Sequence, residues 1–141
     1  MTVKDTTAMI AGMDPVLDAS LWVYCCEPDT ARAAALTPDA FTTVREAEGV
    51  TLILPLDLAT AQGYDTKLPM RRITLNVFSD LEGIGLTAAV AQALTDVEVS
   101  CNVVAGFHHD HVFVPESDST RAMGALRALQ QQAAATPAPP A

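Results

Sequence analysis

The stretch from Met70 to Pro115 changes its hydrophobic period twice, and this constrains the fold more than any other feature of the chain. Ile73, Leu75 and Val77 alternate with polar residues, as in a strand with one buried face. A polar, glycine-containing segment follows, and the apolar residues from Leu86 to Leu94 then recur at helical spacing. The pattern predicts a strand, a loop and a helix in that order.

Alternation returns after this helix and predicts two more strands. Val99, Cys101 and Val103 share one face of the second strand, Gly106 offers a turn, and residues 107–114 make the third strand. With a final helix the order is βαββα, which predicts an α+β fold of the ferredoxin-like type. Its antiparallel sheet has helices on one face. The final helix is defined by its cap, Ser117 or Asp118, and by its apolar residues Ala122, Met123, Leu126 and Leu129.

The first half of the chain contains shorter versions of the same elements. Pro38 limits any helix within residues 30–39, so we expect a loop there despite the alanines. We expect a tandem arrangement with a degenerate N-terminal half at 1–66, a C-terminal domain at 67–130 and a disordered tail at 131–141. The other elements predicted in the first half are a helix at 5–13, a strand at 21–26, hairpin strands at 41–45 and 50–54, and a helix at 56–62.

Composition limits the class of partner. The 141 residues include 8 basic and 17 acidic side chains, and the net charge of −9 argues against binding to nucleic acid. No apolar run approaches the ~20 residues of a membrane span, and residues 1–13 have no apolar signal core. Adjacent Cys25 and Cys26 would point to opposite faces of a strand and cannot pair. With Cys101 the cysteine count is odd. These features suit a reducing compartment, and we expect a cytoplasmic protein that binds no membrane.

Several runs of sequence resemble a known family. The run SDLEGIGLTAAVAQAL, followed by VSCNVVAGFHHDHVFVP, is similar to the ACT domain, a small ligand-binding module attached to many enzymes of amino-acid metabolism. The chain as a whole resembles short bacterial stand-alone proteins built from two ACT-like halves. The resemblance extends from about Met13 to Leu129. Its further matching words are Tyr24-Cys25, Pro28-Asp29, the run from Phe41 to Gly49, and Leu54-Pro55.

The resemblance implies a ligand site at the loop between the first strand and the first helix of the C-terminal half. In the ACT family the effector usually lies at this loop, against the second strand of a neighbouring ACT unit. The implied function is that of a regulatory or sensor protein that binds a small molecule, which we expect to be an amino acid. The ligand-binding residues implied by position are Asp80, Leu81, Glu82, Gly83, Ile84, Gly85, Asn102 and Val103.

The chemistry of this loop can be interpreted in more than one way. Residues 83–88 fit the dinucleotide pattern G-x-G-x-x-A, but Asp80 and Glu82 would repel a pyrophosphate, and the chain continues as a hairpin without a second crossover helix. The glycines and the helix start instead suit the carboxylate of an amino acid, with Asp80 or Glu82 holding its ammonium group. Alternatively, the glycines serve only the turn and its packing, and Asp80 is merely a cap.

Two other polar clusters carry weaker signals. In an extended strand His109 and His111 would share one face, and Cys101 on the neighbouring strand is a candidate third metal ligand. No regular ligand spacing supports a metal site, so we expect no metal and no cofactor. Arg45, Glu46 and Glu48 form the second cluster, beside the predicted hairpin. They either close over a ligand or form a solvated surface.

No pattern in the chain predicts catalysis. There is no G-x-S-x-G motif, and Cys101 is flanked by apolar residues that predict a core position. We therefore expect no catalytic residues and no enzymatic activity. The alternative to a ligand sensor is a ligand-free structural module for dimerisation. Since small two-layer domains leave sheet edges exposed, we expect a homodimer or a higher even-numbered oligomer.

Overall fold

The computed structural model describes residues 5–77 and 80–135. The predicted tail beyond Ala135 lies outside the described residues. Short 3₁₀ turns occupy Thr37–Asp39 and Glu116–Asp118. The remaining elements, in chain order, are α1 (Thr6–Ala11), β1 (Pro15–Glu27), α2 (Thr30–Leu36), β2 (Thr43–Glu46), β3 (Gly49–Pro55), α3 (Leu56–Ala61), β4 (Met70–Leu75), α4 (Leu86–Asp96), β5 (Asn102–Ala105), β6 (Asp110–Pro115) and α5 (Ser119–Ala135).

The chain forms two compact units that do not follow its order. Unit 1 combines the residues up to Ala19 with those from Arg71 onward, whereas unit 2 is the continuous segment Ser20–Met70. The expected division at 66/67 stays a prediction, and the compact units differ from it by grouping the start of the chain with its second half. Helix α5 extends to Ala135 and so includes the first five residues, 131–135, of the expected tail.

Unit 1 confirms the βαββα order predicted from residue 70 onward. Its strands β4, β6 and β5 are neighbours in that order, and β5 and β6 are antiparallel, with Ala105 opposite Asp110. The third strand starts later than predicted, at Asp110, because Gly106 N–H donates to the carbonyl of His109 at 2.8 Å and keeps residues 107–109 in a turn. The second strand also starts later than predicted, at Asn102. The buried core lies between the sheet and helices α1, α4 and α5. Its members include Met9, Met13, Ile73, Leu75, Leu86, Val90, Leu94, Val112, Val114, Met123 and Leu126.

Unit 2 corrects the loop predicted at residues 30–39. Helix α2 occupies most of this segment, and the side chain of Asp29 caps it by accepting hydrogen bonds from the N–H groups of Ala31 and Arg32. Pro38 lies in the 3₁₀ turn that follows the helix, where a proline near the start is tolerated. The strands are arranged as β2-β3-β1, antiparallel throughout. Their core against the helices contains Val23, Cys25, Ala33, Leu36, Leu52, Leu54 and Ala59.

A buried carboxylate fixes the end of β1 in unit 2. Glu27 accepts hydrogen bonds from the Tyr64 hydroxyl at 2.6 Å and from Asp29 N–H at 2.9 Å, and it pairs with the Arg32 guanidinium at 3.1 Å. These contacts, the Tyr64 hydrogen bond first, lower the pKa of Glu27. Burial, followed by the bond to Glu27, raises the pKa of Tyr64 to about 12. The exit from β1 into α2 therefore depends on an ionised glutamate.

Candidate functional site

Helix α4 of unit 1 starts without a side-chain cap. Its N-cap residue is Gly85, which has φ 103 and ψ −16, and no side chain of the described residues caps the helix with a hydrogen bond. The first intrahelical bond runs from Ala89 N–H to Gly85 C=O at 2.9 Å. The amide groups of residues 86–88 therefore have no intrahelical partner, and they carry the positive partial charge of the helix start.

Helix α1 supports the loop that leads into α4. The Thr6 hydroxyl donates a hydrogen bond to the carbonyl of Ile84. A Cβ atom at Gly85 would lie 2.8 Å from Thr6 Cγ2, and one at Gly83 would lie 3.1 Å from Met9 Sδ. Gly85 is thus required by close packing against α1 and by its positive φ, whereas a side chain at Gly83 would need the end of Met9 to move by a few tenths of an ångström. This supports the packing role that the sequence left open.

The loop, the start of α4 and the β5–β6 hairpin enclose a cavity of about 190 Å³. Two carboxylates line it, Asp80 from the loop and Asp110 from the first position of β6, whereas no cationic side chain is among the described lining residues. Asp80 also accepts a hydrogen bond from Glu82 N–H at 2.8 Å, which shapes the turn. The described lining residues are Met9, Asp80, Leu81, Gly83, Gly85, Leu86, Thr87, Ala105 and Asp110.

The predicted ligand-binding residues are only partly brought together. Glu82 and Ile84 belong to the loop but are not among the lining residues, and both side chains are exposed. Asn102 and Val103 lie on β5, away from the lining, which takes Ala105 and Asp110 from the hairpin instead. As a set, the eight residues stay a prediction. Sequence reasoning did not include the lining residues Met9, Leu86, Thr87, Ala105 and Asp110.

The histidines join the β5–β6 hairpin to β4. His109 lies in the turn and donates from Nδ1 to the carbonyl of Val77 at 3.2 Å, whereas His111 on β6 has Nδ1 3.1 Å from the Thr74 hydroxyl. The prediction that His108 and His109 belong to the strand is wrong, because the hairpin turn takes both. Burial, and then the nearby Arg72, lower the pKa of His111. Within residues 5–77 and 80–135, no three His, Cys, Asp or Glu side chains are grouped to hold a metal ion.

A larger cavity, of about 640 Å³, lies between α2 and the β2–β3 hairpin of unit 2. It contains the polar cluster noted in the sequence, Arg45, Glu46 and Glu48, and all three side chains are exposed. Glu46 already accepts a hydrogen bond from the Thr51 hydroxyl. The start of α2 is filled by the Asp29 carboxylate. We favour the smaller cavity as the ligand site. Of the two helix starts that border these cavities, that of α2 is capped by Asp29, whereas that of α4 has no side-chain cap among the described residues.

Both halves of the chain match the same family. Profiles described as ACT domain match residues 2–71 and residues 70–128. The chain belongs to the ACT domain family. This confirms the resemblance noted in the sequence, and it identifies the protein as a tandem of two ACT domains with an α+β, ferredoxin-like fold.

A similar solved structure is that of a Vibrio cholerae protein of unknown function, described as a possible transport protein. It is 36% identical, with a TM-score of 0.79, and the match covers 89% of this ACT protein and 95% of the other chain. No protein with curated annotation matches the sequence.

More distant structures share the ACT fold. The regulatory subunit of aspartate kinase from Thermus flavus has 11% identity and a TM-score of 0.61, over 82% of this chain and 95% of that subunit. The aspartate kinase of Clostridium acetobutylicum has 10% identity and a TM-score of 0.63, over 84% of this chain and 34% of the kinase. At such identities the likeness establishes the fold alone.

In the described part of the ACT protein, no helix combines the length and apolar character needed to cross a bilayer.

Proposed function

We propose that this tandem ACT protein is a regulatory sensor that binds an amino acid in the cavity of unit 1. Membership of the ACT family supports a regulatory, ligand-binding role. Aspartate kinase regulatory subunits, which share the fold, regulate an enzyme of amino-acid metabolism, and this favours an amino acid as the ligand class. The observation that carries the proposal is the uncapped start of α4, which opens onto a cavity that two carboxylates line.

The charges of the cavity match those of a zwitterion. The amide groups at the start of α4 would donate hydrogen bonds to the ligand carboxylate, since an anion at a helix start is stabilised by such bonds and by the helix dipole. Asp80 and Asp110 would hold the ammonium group. In this arrangement Asp110 replaces Glu82 as the alternative partner of the ammonium group, because Glu82 does not line the cavity.

The same surface favours pairing of two copies. Leu81, Ile84 and Phe107 are 68%, 80% and 75% exposed, the highest values among the described large apolar residues. Leu81 lines the cavity, Ile84 lies between the lining residues Gly83 and Gly85, and Phe107 follows the lining residue Ala105 by two positions. Strand β5, at the end of the strand order, leaves an unpaired edge beside this surface. We propose a homodimer or a higher even-numbered oligomer, since exposed apolar groups and open strand edges are usually covered by a partner.

Two further assignments belong to this proposal. All three cysteines are free thiols, which favours a reducing compartment, and we propose the cytoplasm. We also propose that the chain is not itself an enzyme. Burial raises the pKa of Cys101 and raises that of Cys25 to about 11, so neither thiol is an activated nucleophile.

A thermal-shift screen with the twenty amino acids, added singly, tests the function. A ligand that binds only the folded state must raise the melting temperature, and the amino acid giving the largest rise is then titrated by calorimetry. In Asp110→Asn we expect the affinity to fall by a factor of roughly 10 to 100, because a hydrogen bond to a charged group contributes about 1.5–3 kcal/mol.

Two control variants localise the site. Glu82→Ala changes a loop residue outside the lining, and Arg45→Gln changes the cavity of unit 2. We expect both to bind like the wild type. If Arg45→Gln loses affinity and Asp110→Asn keeps it, the ligand binds in the cavity of unit 2 and not in that of unit 1. A wild-type chain that responds to none of the twenty amino acids would favour the alternative function, a dimerisation module without a ligand.

A further inference from the structure

The wall of the unit 1 cavity includes a side chain from the start of the chain. Met9 lies on α1, more than seventy residues before the loop that it contacts, and is only 1% exposed. Its position opposite Gly83 is close: a Cβ atom at Gly83 would lie 3.1 Å from Met9 Sδ and 3.2 Å from Met9 Cε. The end of the thioether side chain therefore occupies the space directly beneath the loop.

This contact limits the size of the cavity. About 190 Å³ corresponds to roughly six water molecules at ~30 Å³ each, which is small for a ligand site. The polar lining, Asp80, Asp110 and the start of α4, is matched to the charged groups that all amino acids share. What remains for the ligand side chain is the space bounded by Met9 and Leu86, both of which are buried in the core of unit 1.

We propose that Met9 determines the specificity of the site, by restricting it to amino acids with short side chains. The inference rests on the proposed function, and it adds the size class of the ligand and the residue that sets it. Methionine suits this role, because its unbranched thioether fills irregular space where a branched side chain would leave a gap. Shortening it creates room under Gly83 without altering any group that binds the charged ends of the ligand.

The test compares Met9→Ala with Met13→Ala. Both variants remove a buried methionine from the same core, but only Met9 lines the cavity. Each protein is screened by thermal shift against glycine, alanine, serine and threonine as short probes and leucine, methionine and phenylalanine as long ones. We expect the wild type and Met13→Ala to respond to short probes. Met9→Ala should change the preference towards long probes by about tenfold or more in affinity, the scale on which an apolar pocket discriminates side-chain size.

A second measurement does not depend on the stability of either variant. In wild-type protein labelled with [methyl-¹³C]methionine, addition of the best short probe should shift the Met9 methyl signal and leave the Met13 signal in place. Met9→Leu identifies the Met9 signal by its disappearance.

The outcomes separate the two proposals. Unchanged preference in Met9→Ala, an unshifted Met9 methyl signal, or a wild type that binds long probes as well as short ones overturns the role of Met9 while amino-acid binding stands. A wild type that binds none of the seven probes overturns the role of Met9, and one that binds none of the twenty amino acids overturns amino-acid binding as well.

Discussion

Replacing Gly85 with alanine should destabilise the protein through two separable effects. The first is conformational: at φ 103 an alanine is strained, and residues held in sparsely populated backbone regions cost about 1–3 kcal/mol. The second is steric, because the new Cβ would lie 2.8 Å from Thr6 Cγ2 and force Thr6 away from the carbonyl of Ile84. The hydrogen bond lost in this way contributes about 0.5–1.5 kcal/mol. We expect Gly85→Ala to lower the free energy of unfolding by about 2–4 kcal/mol.

Two variants separate the effects. Gly63→Ala is the conformational control: its φ is 82, and a Cβ atom there would meet nothing within 4 Å, so only backbone strain is expected. Thr6→Ala removes both atoms that clash with the new methyl group. In the Thr6→Ala background, Gly85→Ala should therefore cost only about 1–3 kcal/mol. The double variant should lose less free energy of unfolding than the sum of the losses in the two single variants.

The assay is urea unfolding followed by far-UV circular dichroism for the wild type, both single variants, the double variant and Gly63→Ala. At about 4 °C per kcal/mol, the change in Gly85→Ala should also appear as a fall of roughly 8–16 °C in melting temperature. If the effects of Thr6→Ala and Gly85→Ala add within about 0.5 kcal/mol, Thr6 does not restrict Gly85, and the packing of α1 against the loop is refuted.

Two further predictions concern charge and assembly. Tyr64→Phe removes the main cause of the lowered pKa of Glu27. Glu27 contributes stability above the ordinary carboxyl pKa of 4.5, which is lost as pH falls through its lower pKa in the folded state. In chemical unfolding measured from pH 7 to pH 3, the deficit of Tyr64→Phe should be largest at neutral pH and shrink in acid. A deficit independent of pH would contradict this role. Light scattering at tens of micromolar should report a dimer or a larger even-numbered assembly, at a concentration where a standard-size interface holds. Phe107→Ser together with Ile84→Ser should weaken that assembly, and a monomeric wild type would refute the pairing.

The parts of the fold that follow from local pattern could be predicted from the sequence. The change of period after Met70 predicts β4 and α4, the apolar spacing from Ala122 to Leu129 predicts α5, and the helix predicted at residues 5–13 contains α1. The loop predicted at residues 30–39 is wrong, because the side chain of Asp29 caps a helix in this segment. The proline follows the helix and does not interrupt it.

The candidate site could be predicted only as far as the loop reaches. Asp110 enters the cavity because it pairs with Ala105 across the hairpin, and that register depends on a turn at residues 106–109. A third strand that started at Phe107 would have a different register, so the sequence did not predict Asp110 at the cavity. Met9 could not be found from any local pattern, because its contact with Gly83 exists only after the two ends of unit 1 have packed.

The discontinuity of unit 1 affects how the protein emerges from the ribosome. The segment up to Ala19 is synthesised first, but α1 packs against α5, and Gln130 Nε2 donates to the carbonyl of Ala11 at 2.9 Å. Translation must therefore pass residue 130 before α1 can reach its final partners, whereas Ser20–Met70 has its own contacts as soon as it leaves the exit tunnel. Contacts this distant in sequence slow folding, so Met9 and Ile10, which are buried in the folded protein, stay unpacked until α5 has been made.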